Sequence, residues 1–235
     1  MDEPTNPVLF CSESNLELPE VVSDEDFAKY QHRIKREDLR AEAQLPHAAR
    51  QWWKFQGRKL GFAAFSYTNP SGHKSWDEAY RKARAMLSQR HERDHGIVLG
   101  LIGRYGAGKT LMATGLILEA TAKLDSGRYA TLLEFNLELE AALKADSGRA
   151  RIEVLREFRK PKLLCLDDCS GGSESEANMR LFRELLDARY QARRDTILIS
   201  NVDVGAYMKF LGKALADRAA HGGGYIEFTW ESFRK

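Results

Sequence analysis

Gly103-Arg104-Tyr105-Gly106-Ala107-Gly108-Lys109-Thr110 satisfies every defined position of the phosphate-loop pattern G-x-x-x-x-G-K-[ST]. Each part has a mechanical reason. The glycines let backbone N–H groups curl around phosphate oxygens in conformations that a side chain opposes. Lys109 is placed to reach the β- and γ-phosphates of a nucleotide, and the Thr110 hydroxyl to ligate Mg²⁺. A helix that follows the loop aims its positive end at the same anion. The whole stretch, including the intervening Arg104, Tyr105 and Ala107, is therefore read as the nucleotide-binding segment.

The flanks fit. Ile97-Val98-Leu99-Gly100-Leu101-Ile102 is a short apolar run, as a buried parallel strand should be. Leu111 to Ala120 reads as a helix with a broad apolar face. Farther on, Lys162-Leu163-Leu164-Cys165-Leu166-Asp167-Asp168 is an apolar strand that delivers two acids at its C-terminal end, where ligands bind in open α/β sheets. Asp167 is expected to hold Mg²⁺, directly or through water, and Asp168 to orient and polarise an attacking water. Thr196-Ile197-Leu198-Ile199-Ser200-Asn201 is a further apolar strand. In an additional-strand P-loop ATPase it lies between the two motif strands, which places Asn201 near the γ-phosphate.

From residue 95 onward the pattern alternates strand and helix. It predicts strands at 97–102, 130–135, 163–167, 196–200 and 225–229, and helices at 109–124, 137–145, 150–159, 175–193 and 204–219. That alternation argues for a parallel α/β sheet between helices. Ahead of it, 1–22 is acidic and proline-punctuated and is expected to be disordered. A helix capped within Ser23–Asp26 is expected from about Phe27 to Arg40, and another from Trp76 to Gln89. Trp52 and Trp53 suit either an interface or a core, and Asn69-Pro70-Ser71-Gly72 is a turn.

The bulk properties exclude several classes. With 235 residues and a net charge of +2, the chain holds one α/β domain plus an appendage and is not a polycation. It shows no signal-peptide pattern and no apolar run near membrane-spanning length, so a soluble, cytoplasmic chain without a membrane partner is expected. Cys11, Cys165 and Cys169 have neither zinc nor disulfide spacing. Cys165 is expected in the core.

The final third resembles one family. Lys209-Phe210-Leu211-Gly212-Lys213-Ala214-Leu215-Ala216-Asp217-Arg218 and Phe228-Thr229-Trp230-Glu231-Ser232-Phe233-Arg234 look like the C-terminal half of DnaC-type helicase loaders. The IstB-type transposition helpers share this core. The resemblance covers about 76–235. It implies an AAA+ ATPase domain over that range, binding ATP and Mg²⁺, with no C-terminal lid domain. It also implies a helical partner-binding segment at 23–75 and a nucleotide-dependent homo-oligomer. Arg218 matches the family's arginine finger, which reaches the γ-phosphate held by a neighbouring subunit. Arg234 falls near its second nucleotide-sensing arginine. Lys109, Asp168, Asn201 and Arg218 thus form the implied catalytic set, with Thr110 and Asp167 at the metal. Asp168 departs from the family's glutamate by one methylene, which implies slow turnover suited to a switch.

The implied function is a replication factor that assembles on single-stranded DNA and hands over a replicative helicase. Lys144, Arg149, Arg151, Arg156 and Arg159 form a basic track suited to such DNA, with Phe158 beside it. Two alternatives stand beside this reading. One is a transposition helper that binds duplex DNA and a transposase. The other is a nucleotide-gated adaptor without significant hydrolysis.

Overall fold

A computed structural model describes residues 23–51, 75–88, 93–144, 148–170 and 175–233. Helix α1 spans Asp24–Glu42 and α2 spans Ser75–Ser88. The α/β core then runs β1 Val98–Gly103, α3 Lys109–Ala122, β2 Gly127–Thr131, α4 Leu132–Ala141, α5 Arg151–Arg159, β3 Leu163–Asp167, α6 Glu176–Gln191, β4 Asp195–Ser200, α7 Val204–Leu211, α8 Lys213–Gly222 and β5 Tyr225–Phe228. The acidic segment 1–22, Cys11, Trp52, Trp53, the 69–72 turn and Arg234 lie outside the described residues.

The five strands form one parallel sheet in the order β2-β3-β4-β1-β5. Strand β4 separates the phosphate-loop strand β1 from the acidic strand β3, as the additional-strand reading requires. Alternate residues feed two cores. Leu99, Leu101, Leu163, Cys165, Ile197 and Ile199 join one apolar cluster with residues of α2 and α3. Val98, Ile102, Leu164, Leu166 and Leu198 join the other, with α4 to α8. The result is a sheet covered on both faces, and its C-terminal strand ends all point to the same rim.

Several boundaries differ from expectation. The second strand stops at Thr131 instead of continuing to 135, and α4 starts at once instead of at 137. Thr131 and Glu134 are the reason: Glu134 N donates to Thr131 Oγ1 at 3.0 Å, and Thr131 N donates to Glu134 Oε2 at 2.6 Å. This reciprocal cap satisfies two orphan donors and wins over the β-propensity of the apolar run. The expected single helix 204–219 is two helices, because Gly212 takes φ 75°, ψ 163° between them.

Helix α1 begins at Asp24, earlier than the Phe27 expected, because Ser23 caps it by accepting from Asp26 N at 3.2 Å. Its far end is tied to the sheet. Tyr129 N on β2 donates to Ala43 O at 2.7 Å, and Ala43 and Leu45 are buried in the α2–α3 core.

A fully buried arginine holds the opposite rim together. Arg189 of α6 donates from Nη1 to the carbonyls of Phe158 (2.9 Å), Arg159 (3.1 Å) and Pro161 (2.9 Å), from Nη2 to Asp195 O (2.6 Å) and from Nε to Thr196 Oγ1 (2.9 Å). Arg189→Met will strand several of these acceptors in a dry site. The expected cost is about 3–5 kcal/mol, seen as a fall in thermal midpoint on the order of 10 °C. A midpoint within 2 °C of wild type, as an order-of-magnitude threshold, would contradict it.

Candidate nucleotide site

The turn from β1 into α3 is built of left-handed glycines. Gly103, Gly106 and Gly108 have φ of 128°, 75° and 88°, a region that costs an L-residue energy. Gly108 is constrained a second way: a Cβ there would stand 2.8 Å from Trp76 Nε1. The loop's carbonyls are held from outside. Phe233 N donates to Gly106 O at 2.9 Å, Trp230 Nε1 to Ala107 O at 3.1 Å, and Trp76 Nε1 to Gly108 O at 3.3 Å. Carbonyls occupied on the outside leave the loop's amide face for an anion. Lys109 is nearly buried, and its Nζ donates to Gly103 O at 2.8 Å and to Arg104 O at 2.7 Å. The ammonium is therefore held within the loop itself. Arg104 and Tyr105 are exposed on its outer side.

Parallel pairing brings the acids to this loop. Asp167 ends β3 and is 5% exposed. Its Oδ2 accepts from Thr110 Oγ1 at 2.7 Å and from the Tyr129 hydroxyl at 2.8 Å, and its Oδ1 from Asp168 N at 2.7 Å. A hydroxyl and a carboxylate in contact beside a phosphate loop are the donor set that Mg²⁺ takes in P-loop NTPases, so these residues fit the cation. Burial, together with the Asp167 charge beside it, pushes the Tyr129 phenol far above its ordinary range, so Tyr129 is a proton donor here.

Asp168 has φ 59°, the left-handed region for a non-glycine residue, a strained setting of the kind found at functional sites. The turn carries its carboxylate toward β4, where Asn201 Nδ2 donates to Asp168 Oδ1 at 3.2 Å. Partial burial and the Asp167 charge push the Asp168 carboxyl above its ordinary range, although its side chain reaches the surface. The Asn201 hydrogen bond and the Lys109 ammonium pull it down. Asp168 and Asn201 thus form a hydrogen-bonded pair on the exposed side of the site.

Arg218 lies elsewhere. It pairs with Asp187 of α6 and sits 5.6 Å from the Tyr190 ring centroid. Tyr190 O accepts from Gly96 N at 2.7 Å, immediately before β1, so Arg218 stands at the N-terminal rim of the sheet. The six residues of β1 rise about 3.3 Å each, which separates the rims by about 20 Å. No single side chain spans that gap.

The basic track is largely used within the chain. Arg149 pairs with Glu138 and Glu157, Arg151 donates to Leu139 O and Asn178 Oδ1, and Arg159 pairs with Glu184. Phe158 is fully buried and offers no stacking surface, contrary to the expectation from sequence. Lys144 and Arg156 are exposed. Among the described residues no group of three or more histidine, cysteine or acidic side chains is placed to hold a metal ion, and no helix is long and apolar enough to cross a membrane.

Sequence reasoning missed the roles of Trp76, Trp230, Phe233 and Tyr129. Trp230 and Phe233 lie in the terminal motif that carries the family resemblance, and that motif's specificity was the available signal. Trp76 and Tyr129 left no local signal, because their partners are 32 and 38 residues away.

Known proteins are similar to this chain in sequence or in fold. The ATP-binding protein of insertion sequence IS232 from Bacillus thuringiensis subsp. berliner is 27% identical over 139 residues, 57% of this chain and 54% of that protein. The replicative helicase loader DnaC of Buchnera aphidicola subsp. Acyrthosiphon pisum is 26% identical over 83 residues, 35% of this chain and 34% of the loader. The chain thus spans about half of the first relative and a third of the second. The crystal structure of DnaI superposes with a TM-score of 0.54 at 23% identity, covering 69% of this chain and 86% of that one, so the two share a fold. The IstB-like ATP binding protein model matches residues 16–235; with its phosphate loop, acidic strand and additional-strand sheet, the chain belongs to that family.

Proposed function

We propose that this chain is a Mg²⁺-dependent ATPase switch of DNA replication, loader-like, whose hydrolytic site is completed only between copies. The observation that carries the reading is the division of its functional groups between two rims. Lys109, Thr110, Asp167, Asp168 and Asn201 share one rim, and Arg218 stands at the other. In a head-to-tail assembly each copy offers Lys109 to one nucleotide and Arg218 to the next. Lys109 contacts the β- and γ-phosphates, and Thr110 with Asp167 holds the cation. Asp168, aligned by Asn201, takes the attacking water. The shorter aspartate makes turnover slow, as a switch requires.

Assembly on single-stranded DNA uses the exposed Lys144 and Arg156. The partner surface is α1, where Phe27 and Ile34, both exposed, lie seven residues apart on one face. A ring-shaped replicative helicase is the partner, and a cytoplasmic location follows from that role. A transposition helper acting with a transposase on duplex DNA is the second reading, favoured by the insertion-sequence relative and its longer matched stretch.

The test is ATP-dependent co-sedimentation of the full chain with a replicative helicase, run beside binding to single-stranded and duplex oligonucleotides. Helicase retention with ATP but not ADP, and preference for single strands, are expected. Duplex preference without helicase retention overturns the loader reading in favour of the transposition helper. Binding of nucleotide with no phosphate release under any of these conditions would leave a nucleotide-gated adaptor.

A further inference from the structure

A carboxylate as enclosed as Asp167 needs its lone pairs met by donors or a cation. Two of its three donors follow from the motifs themselves. Thr110 closes the phosphate loop, and Asp168 N comes with the turn after β3. The third does not. Tyr129 belongs to the neighbouring strand, where it stands opposite Cys165 in the parallel register. Residues 165 and 167 share a face of β3, so Tyr129 is the diagonal neighbour of Asp167, a separation that an aromatic side chain can bridge. Its ring runs toward the strand ends and delivers the hydroxyl to Asp167 Oδ2 at 2.8 Å.

Both ends of Tyr129 are held. The hydroxyl is on Asp167, and the backbone N–H is on Ala43 O, at the C-terminal cap of α1. The consequence for Asp167 is geometric. Oδ2 carries two hydroxyl donors and Oδ1 carries the Asp168 N–H. A carboxylate has about four lone-pair sites, so this pattern leaves one, on Oδ1, for a cation or its water. It also fixes the plane of the carboxylate, and it lets Thr110 give an oxygen lone pair to the cation while its proton remains on Oδ2.

We propose that Tyr129 is a positioning residue for the metal carboxylate, setting the affinity of the nucleotide-bound site for a divalent cation. The proposal rests on the reading of Asp167 as the residue that holds Mg²⁺. Groups that orient metal ligands through hydrogen bonds are typically worth 10–100-fold in metal affinity, and Tyr129 stands in that relation to Asp167.

Tyr129→Phe removes the hydroxyl and keeps the ring. Mn²⁺ serves as the probe, with free ion counted by electron paramagnetic resonance while the full-length chain is titrated in saturating ADP. The expected result is Mn²⁺ binding weaker by roughly 10–100-fold, with ADP affinity in EDTA unchanged. Mn²⁺ affinity within about twofold of wild type, well short of that range, overturns the proposal. Tyr129→Leu, also without a donor, is measured alongside and should lose Mn²⁺ to a similar degree, so the question stays open to test if one variant fails to fold. Asp167→Asn separates the two layers of the argument. If it loses Mn²⁺ and Tyr129→Phe does not, Tyr129 alone is wrongly assigned. If neither loses Mn²⁺, the reading of Asp167 fails and takes the proposal with it.

Discussion

Replacing Arg218 with alanine is expected to lower ATP turnover by roughly 10³–10⁵-fold, the range for an arginine supplied to a neighbour's transition state. ATP affinity at low protein concentration should stay as in wild type, because Arg218 stands at the rim opposite its own phosphate loop. Phosphate release per subunit, measured against protein concentration, decides the matter. Wild type should climb steeply as copies meet, whereas Arg218→Ala should stay flat. Mixing the two proteins adds a sharper check. Arg218→Ala keeps an intact phosphate loop, and Lys109→Ala keeps an intact Arg218, so the mixture can form complete composite sites that neither forms alone. Recovery of activity on mixing is expected. An Arg218→Ala rate equal to wild type would show that the pair with Asp187 is structural and that the site is complete within one chain.

Lys109→Ala is expected to abolish turnover and to weaken ATP binding at every protein concentration. Two effects combine. The ammonium proposed to face the β- and γ-phosphates is lost. The loop also loses its internal tie, because Lys109 Nζ holds both Gly103 O and Arg104 O. The loss should therefore exceed that of a surface charge, whose deletion is worth about 0–1 kcal/mol. Equilibrium binding of a fluorescent ATP analogue reads the first quantity and phosphate release the second. Near-normal ATP affinity in Lys109→Ala would mean that the outer braces from Trp76, Trp230 and Phe233 alone shape the loop.

Much of the fold was legible because its signals are local. The β1, β3 and β4 strands are continuous apolar runs, the signature of strands buried on both faces. Their boundaries came out within about a residue of those expected. The β2 boundary failed where two local signals compete: Ala130-Thr131-Leu132-Leu133 reads as strand by composition, but the Thr131–Glu134 cap turns it into a helix. The break at Gly212 is marked by a glycine, but the apolar spacing continues through it and predicts one helix.

The phosphate loop, the two acids and Asn201 could be named from sequence because each ends an apolar strand, and parallel strands deliver their ends to one rim. The basic track was only partly legible for the opposite reason. A run of arginines along α5 reports charge in one dimension, while Glu138 of α4 and Glu184 of α6, which engage Arg149 and Arg159, come into contact only when the elements fold together.

The sequence by itself determined the phosphate loop, the order of strands and helices and the family, all of them carried by neighbours along the chain. Only the tertiary structure decided that Trp76 and Trp230 brace the loop, that Tyr129 holds Asp167, and that Arg218 stands at the rim away from its own phosphate loop. Each of these is a contact across tens of residues of sequence, created by the sheet's strand order, which places side chains together that no local pattern relates.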